Sequence, residues 1–199
     1  MKKYKLTDEA IKYNCVTLYR IEALRNFGDI SAGDKGGFVQ SYHNLSQEGN
    51  CWIHDEAKVF GNAKVYGNAS VFGRAKVYGN AFVKGDAFVF DDAKVYGNAF
   101  VNGDATVYDK AEVFGVARVY GNAFVKGDAI IETSRDYIVF KNWWSSGRYF
   151  TWTRSNNMWN VGCFYGTGKE LIKKAYADSK ESGKEYERVV RYVESILAD

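Results

Sequence analysis

The sequence predicts a mainly β chain wound into a coil, on three observations. First, residues 57–134 repeat one six-residue phrase without a break. It runs from Ala57-Lys58-Val59-Phe60-Gly61-Asn62 to a worn copy at Ala129 to Ser134, giving 13 copies in 78 residues. A fixed short period marks a stacked-repeat architecture. Second, Ala-x-Val alternates with the period of a strand, so each copy puts a small and a β-branched side chain on one face. Third, Gly-Asn or Gly-Asp follows, residue types that bend the backbone and tolerate positive φ. A corner every six residues folds the chain into a coil with Ala and Val inside. One buried Val contributes roughly 1.5–3 kcal/mol, against about 1–2 kcal/mol lost per ordered residue. A single coil therefore cannot stand alone, and the coils must stack.

Residues 1–38 are expected to form an N-terminal β-hairpin cap and connector. Tyr4-Lys5-Leu6 and Val16 to Ile21 read as strands around a polar bend near Thr7 to Asn14, followed by a Gly/Asp-rich stretch at 26–37. From about Val39 the period of six can be traced loosely through Leu45, Cys51 and Ile53, so the repeat domain is taken as 39–134 with a degenerate first coil. A cap is required because an open coil end is an unpaired sheet edge.

The Ala-x-Val-x-Gly-Asn phrase resembles the hexapeptide-repeat proteins. The resemblance implies a left-handed parallel β-helix with three hexads per triangular coil, although crossover connections in general favour the right hand. The stretch Asn26-Phe27-Gly28-Asp29 to Gly36-Gly37-Phe38, with Asn44 to Ile53, looks more specifically like the lead-in of the YdcK-like subgroup, and the resemblance covers about residues 15 to 134. It implies a bacterial, phage or prophage setting and, for many members, no more than a transferase label. With three hexads per coil, residues 18 apart lie above one another at about 4.8 Å. One face then stacks Lys58, Lys76, Lys94 and Glu112, with Phe60, Tyr78, Tyr96 and Phe114 beside them. Another face stacks Phe82 and Phe100 between Lys64 and Arg118. The remaining face carries Phe72, Phe90 and Tyr108, with Phe88 and Phe124 in the neighbouring column.

After Ser134 the pattern changes, and residues 135–199 read as an α+β unit of three strands and two helices. The strands are Asp136 to Phe140, Arg148 to Trp152 and Met158 to Tyr165; the helices are Lys169 to Ser179 and Lys184 to Leu197, parted by Ser182-Gly183. The helices carry apolar residues at a spacing near 3.6. Gly162 to Glu170 invites comparison with a phosphate-binding loop, but the first glycine comes one residue early and Glu170 stands where Ser or Thr would hold magnesium. A strand-to-helix turn is expected there, with a helix N-terminus open to an anion.

Composition narrows the function. The net charge is +3, and residues 1–50, 51–134 and 135–199 hold 7, 9 and 11 basic against 6, 10 and 8 acidic residues. No segment is charged enough to suggest a nucleic-acid clamp. No apolar run is long enough for a membrane span, and the start does not read as a signal peptide. Three widely spaced cysteines fit free thiols in a reducing compartment, the bacterial cytoplasm or, for a phage protein, that of its host.

The coil columns are the first candidate binding residues: Lys58, Lys76, Lys94, Phe60, Tyr78, Tyr96, Phe114, Phe82 and Phe100. They read either as a self-stabilised sheet surface or as a face for a partner. The second group is Trp143, Trp144, Arg148, Trp152 and Arg154, read as a small-sheet core or as a hot-spot surface. His54 and His43 are the only histidines and the only candidate bases for the acyltransferase chemistry that the resemblance implies. Neither has a carboxylate at a recognisable orienting distance in sequence, and two histidines fall short of the three ligands of the related metal-dependent carbonic anhydrases. Three functions are carried forward. The leading one is a non-enzymatic, cofactor-free binding protein engaging a host protein, such as one of a defence system. The alternatives are a CoA-dependent acyltransferase and a structural homo-oligomer, dimer or trimer.

Overall fold

The computed structural model describes residues 2–198, and side chains within helices and strands up to residue 197. The chain opens with a hairpin, β1 (Tyr4–Tyr13) and β2 (Val16–Ala23), and continues to β3 (Lys35–Val39). The polar stretch expected as a bend is strand instead, and the turn shrinks to Asn14-Cys15, both at positive φ. β1 lies at the sheet edge, where one side of a strand can stay wet, so its polar residues cost nothing. A register shift between Leu6 and Ala10 absorbs the irregularity.

β3 joins cap to coil. It pairs antiparallel with β2 and parallel with the first repeat strand, Phe38 opposite Lys58 and Val39 opposite Val59. Gly37 permits this, because a Cβ there would stand 2.6 Å from the Ala57 carbonyl oxygen.

Fourteen two-residue strands follow, from β4 (Trp52–Ile53) to β17 (Ile130–Ile131), twelve covering the x-Val of a phrase and the first and last an x-Ile. They form three parallel faces. The first carries Lys58, Lys76, Lys94, Glu112 and Ile130; the second Trp52, Ser70, Phe88, Thr106 and Phe124; the third Lys64, Phe82, Phe100 and Arg118. This is the parallel β-solenoid that the period of six predicts. The Ala and Val positions of the repeat are fully buried along its whole length. At the corners the lower coil donates to the upper, as in Lys58 N to Ala75 O (2.9 Å), Phe60 N to Val77 O (3.0 Å) and Asn62 N to Gly79 O (2.8 Å). Asp91 and Asp109 occupy two glycine positions at φ 58° and 59°. Their carboxylates accept from the next coil, at Asp109 N and Gly127 N, which offsets part of the strain.

The direction of these bonds leaves N–H groups unpaired on the last coil. Residues 134–155 supply the acceptors: Ser134 Oγ for Arg118 N, Tyr137 Oη for Tyr120 N, Thr151 Oγ1 for Phe124 N, Ser155 Oγ for Ile130 N and Asp136 Oδ2 for Glu132 N. The expected cap over the open end is therefore made largely by side-chain oxygens.

The C-terminal unit has four strands, not three: β18 (Tyr137–Lys141), β19 (Tyr149–Thr153), β20 (Met158–Val161) and β21 (Phe164–Gly166). The span read as one strand at 158–165 is broken at Gly162-Cys163, with Gly162 at φ 57°. Two helices pack on this antiparallel sheet, α1 (Gly168–Asp178) and α2 (Lys180–Ala198), over a second core of Phe150, Trp152, Trp159, Leu171, Ala175, Tyr186, Val190 and Val193. α2 begins four residues before the expected Lys184, and Ser182-Gly183 lies inside it. Gly183 is there for contact rather than for a break, since a methyl at that position would overlap the Tyr176 ring. The N-terminus of α1 is filled by its own capping box, Thr167 with Glu170, and not left open for an anion.

Candidate functional site

The coil columns form as the spacing predicts, and the structure shows what their side chains meet. Phe60, Tyr78, Tyr96 and Phe114 stack at 4.9–5.1 Å between ring centres and within 8° of parallel. Tyr13 of the hairpin closes the column edge-on over Phe60 at 5.5 Å. On the third face Phe82 lies 5.9 Å from Phe100. The lysines beside the first column are also engaged within the chain. Lys58 Nζ donates to Glu56 O at 2.8 Å and lies over the Tyr13 and Phe38 rings, and burial pulls its pKa down. Lys76 Nζ sits over Tyr13. Lys94 pairs with Glu112 at 2.7 Å, and that hydrogen bond raises its pKa. The like charges are thus spread over rings, a carbonyl and a carboxylate.

The histidines lie apart in the architecture. His54 is half-buried on the second face, edge-on to Phe72 at 5.9 Å, and burial pushes its pKa down against the pull of Asp55. His43 is exposed beside a shallow depression bounded by Tyr42, Lys64, Tyr66 and Phe82. Neither imidazole hydrogen-bonds to a carboxylate, and no three His, Cys, Asp or Glu side chains gather as a metal site, among the described residues.

The tryptophan-rich stretch divides. Trp152 and Trp159 are core residues, and Trp152 Nε1 donates to Asn157 Oδ1 at 2.8 Å. Trp144 is half-buried edge-on to Tyr186 at 4.9 Å, its buried Nε1–H without an acceptor among the described residues. Arg154 is exposed in the turn after β19. Trp143 is 74% exposed and touches Trp144 edge-on at 6.0 Å. Arg148, five residues on, is exposed and makes no ion pair among the described residues. Tyr149 beside it is also exposed, under the Lys141 ammonium at 5.7 Å.

The loop carrying Trp143 and Arg148 is held firmly. Asn142 Nδ2 donates to Tyr186 Oη on α2 at 2.9 Å, and Asn142 Oδ1 accepts from Ser145 N at 2.9 Å. Its backbone bonds to Arg148 O and Gly147 N, both at 2.8 Å. Sequence reasoning missed Asn142 and Tyr186, which lie 44 residues apart and meet only through the fold. An exposed Trp and Arg on one pinned loop, with an exposed Tyr at the start of the strand that follows, have the composition of a binding hot spot.

A family model described as YdcK Beta solenoid repeat matches residues 93–109. Among curated relatives, "Uncharacterized acetyltransferase YdcK" of Escherichia coli (strain K12) is 36% identical over 67 residues, covering 30% of this chain and 21% of that protein. The match therefore spans about a fifth of the relative's length. The chain thus carries a YdcK-like repeat on a parallel β-solenoid.

Proposed function

We propose that the protein works by binding another protein, with no reaction of its own, and that the solenoid is the rigid mount for the contact surface. The observation that carries this reading is Trp143, 74% exposed on a loop pinned to α2, beside an unpaired Arg148. Exposing an indole costs hydrophobic stabilisation, and the fold does nothing to bury it. The stacked coil rings offer a separate, flat wall, which suits a protein better than a small molecule. The phage and prophage setting implied by the sequence resemblance makes a host protein the partner class carried forward, and interference with its activity the outcome.

The test starts from the intact protein as bait in a bacterial lysate. The complex is rebuilt from purified components and its affinity measured. Trp143→Ala with Arg148→Glu is expected to weaken it tenfold or more. A partner that holds the double variant as tightly as the parent would overturn this placement of the surface.

The name of the matched relative supports a second reading, acetyl transfer. Calorimetric titration of acetyl-coenzyme A separates the two. Saturable binding lost in His43→Ala or His54→Ala favours the transferase.

A further inference from the structure

We infer that the seam between the last coil and the C-terminal sheet is a binding site for a small organic anion carrying a planar ring. A cavity of about 360 Å³ opens there, lined by Asn122 and Phe124 from the coil and by Arg148, Tyr149, Asn160 and Gly162 from the sheet. That volume falls within the range of small-molecule sites, about 300–1,000 Å³. The inference goes beyond the protein-binding reading. It shares Arg148 and Tyr149 with that surface but not Trp143, which does not line the cavity.

Each class of lining group is unsatisfied in a way that points to one part of a ligand. Arg148 presents donors with no ion pair and no side-chain hydrogen bond among the described residues. It is a fork suited to a carboxylate or a phosphate. Lys141, over the Tyr149 ring, adds positive charge nearby. Asp104 sits one coil below Asn122 in the same column but does not line the cavity.

The rings of Phe124 and Tyr149 stack on no other aromatic ring among the described residues, unlike the paired rings of Phe72, Phe90 and Tyr108. Two rings free of aromatic partners at one cavity suit a flat, apolar body.

Asn160 supplies the third feature. It is only 5% exposed, and its Nδ2 is held by Tyr108 Oη at 3.0 Å. Its Oδ1 accepts no hydrogen bond from the protein among the described residues and keeps some exposure, so it is open to a donor. A ring N–H or amino group entering the cavity would supply it. The seam itself is preorganised, since Phe124 N is bonded to Thr151 Oγ1 at 2.9 Å and Tyr165 Oη to Lys126 O at 3.3 Å.

A mononucleotide and an aromatic carboxylate share this chemistry. The intact protein is titrated calorimetrically with AMP, GMP, CMP and UMP in one arm, and with indole-3-carboxylate and 4-aminobenzoate in the other. Adenosine and inorganic phosphate serve as controls lacking the anion and the ring. The expected result is saturable binding of one molecule per chain in at least one arm, and the arm that binds names the source. Binding should weaken tenfold or more in Arg148→Gln, whose side chain is exposed and leaves the fold intact by circular dichroism, and should be unchanged in Trp143→Ala. No saturable binding in either arm, or undiminished binding to Arg148→Gln, would overturn the site. Loss of a protein partner in Trp143→Ala with ligand binding retained separates this proposal from the reading above.

Discussion

The Lys3 ammonium donates to the Cys51 carbonyl at 2.9 Å and stands 3.3 Å from the Cys51 sulfur, with neither residue exposed. Cys51 takes the Ala place in the degenerate first coil. In the regular coils that carbonyl accepts from the coil below, and here there is none. Lys3 fills the vacancy and also reaches Glu48 O and Gly49 O at 3.4 Å, while Tyr4 Oη donates to Leu45 O at 2.7 Å. A cation closes the acceptor end of the solenoid, and hydroxyl and carboxylate oxygens close the donor end. Burial pulls the Lys3 pKa down and pushes the Cys51 thiol up.

Lys3→Met keeps the apolar stem and removes the donors. The expected cost is about 1–3 kcal/mol, the range for hydrogen bonds made by charged groups and for carbonyls left unpaired. A lower urea midpoint at unchanged slope would show it. A variant as stable as the parent would mean that desolvating the ammonium cancels its bonds.

The alkaline limit of stability should lie with buried phenols. Tyr137 donates to Arg118 O at 2.9 Å, and burial raises its pKa from 10.0 to about 12. Tyr96 is raised to about 12 by burial and by the Glu112 carboxylate to which it donates. Between pH 10 and 12 the unfolded chain has lost these protons and the folded chain keeps them. Their contribution is therefore complete below pH 10 and is lost as pH rises towards 12. Lys3, held below its ordinary 10.5, acts in the opposite sense over part of this window. Melting temperature recorded from pH 9 to 11.5 should fall, and should fall less in Tyr137→Phe. An equal slope in the variant would remove Tyr137 from the account.

Gly127 and Gly121 offer a matched pair at the seam. Both have positive φ, 71° and 65°. A Cβ on Gly121 meets open space, whereas one on Gly127 would overlap the Tyr165 hydroxyl. Gly121→Ala should cost only the left-handed penalty of about 1–2 kcal/mol. Gly127→Ala should cost more, read as a lower urea midpoint than that of Gly121→Ala. Equal losses would show that Tyr165 moves aside freely.

Much of the solenoid could be read directly. Ala and Val at period six place themselves inside, and an 18-residue offset alone aligns Tyr78 with Tyr96 and Lys94 with Glu112. Local reading failed where a residue's role depends on a distant neighbour. Lys3 looks solvated until Cys51 is set beneath it. Gly183 looks like a helix break until the Tyr176 ring is set against it. Trp152 and Trp143 differ by nine positions and share a composition, yet one lies in a core and the other in solvent, because a strand and a loop point them differently. The cavity joins Phe124 to Asn160, and no periodic signal connects the solenoid to the sheet that follows it.

The offset of 18 residues also makes the chain a screw thread with three index positions. Removing one full coil shortens the spacing between the two ends by about 4.8 Å and leaves their azimuth unchanged. Removing a single hexad instead rotates everything after it by a third of a revolution, carrying the Trp143 loop to the next face of the prism. Reach and bearing are then set by two whole numbers, coils and hexads, neither of which touches the chemistry at either end.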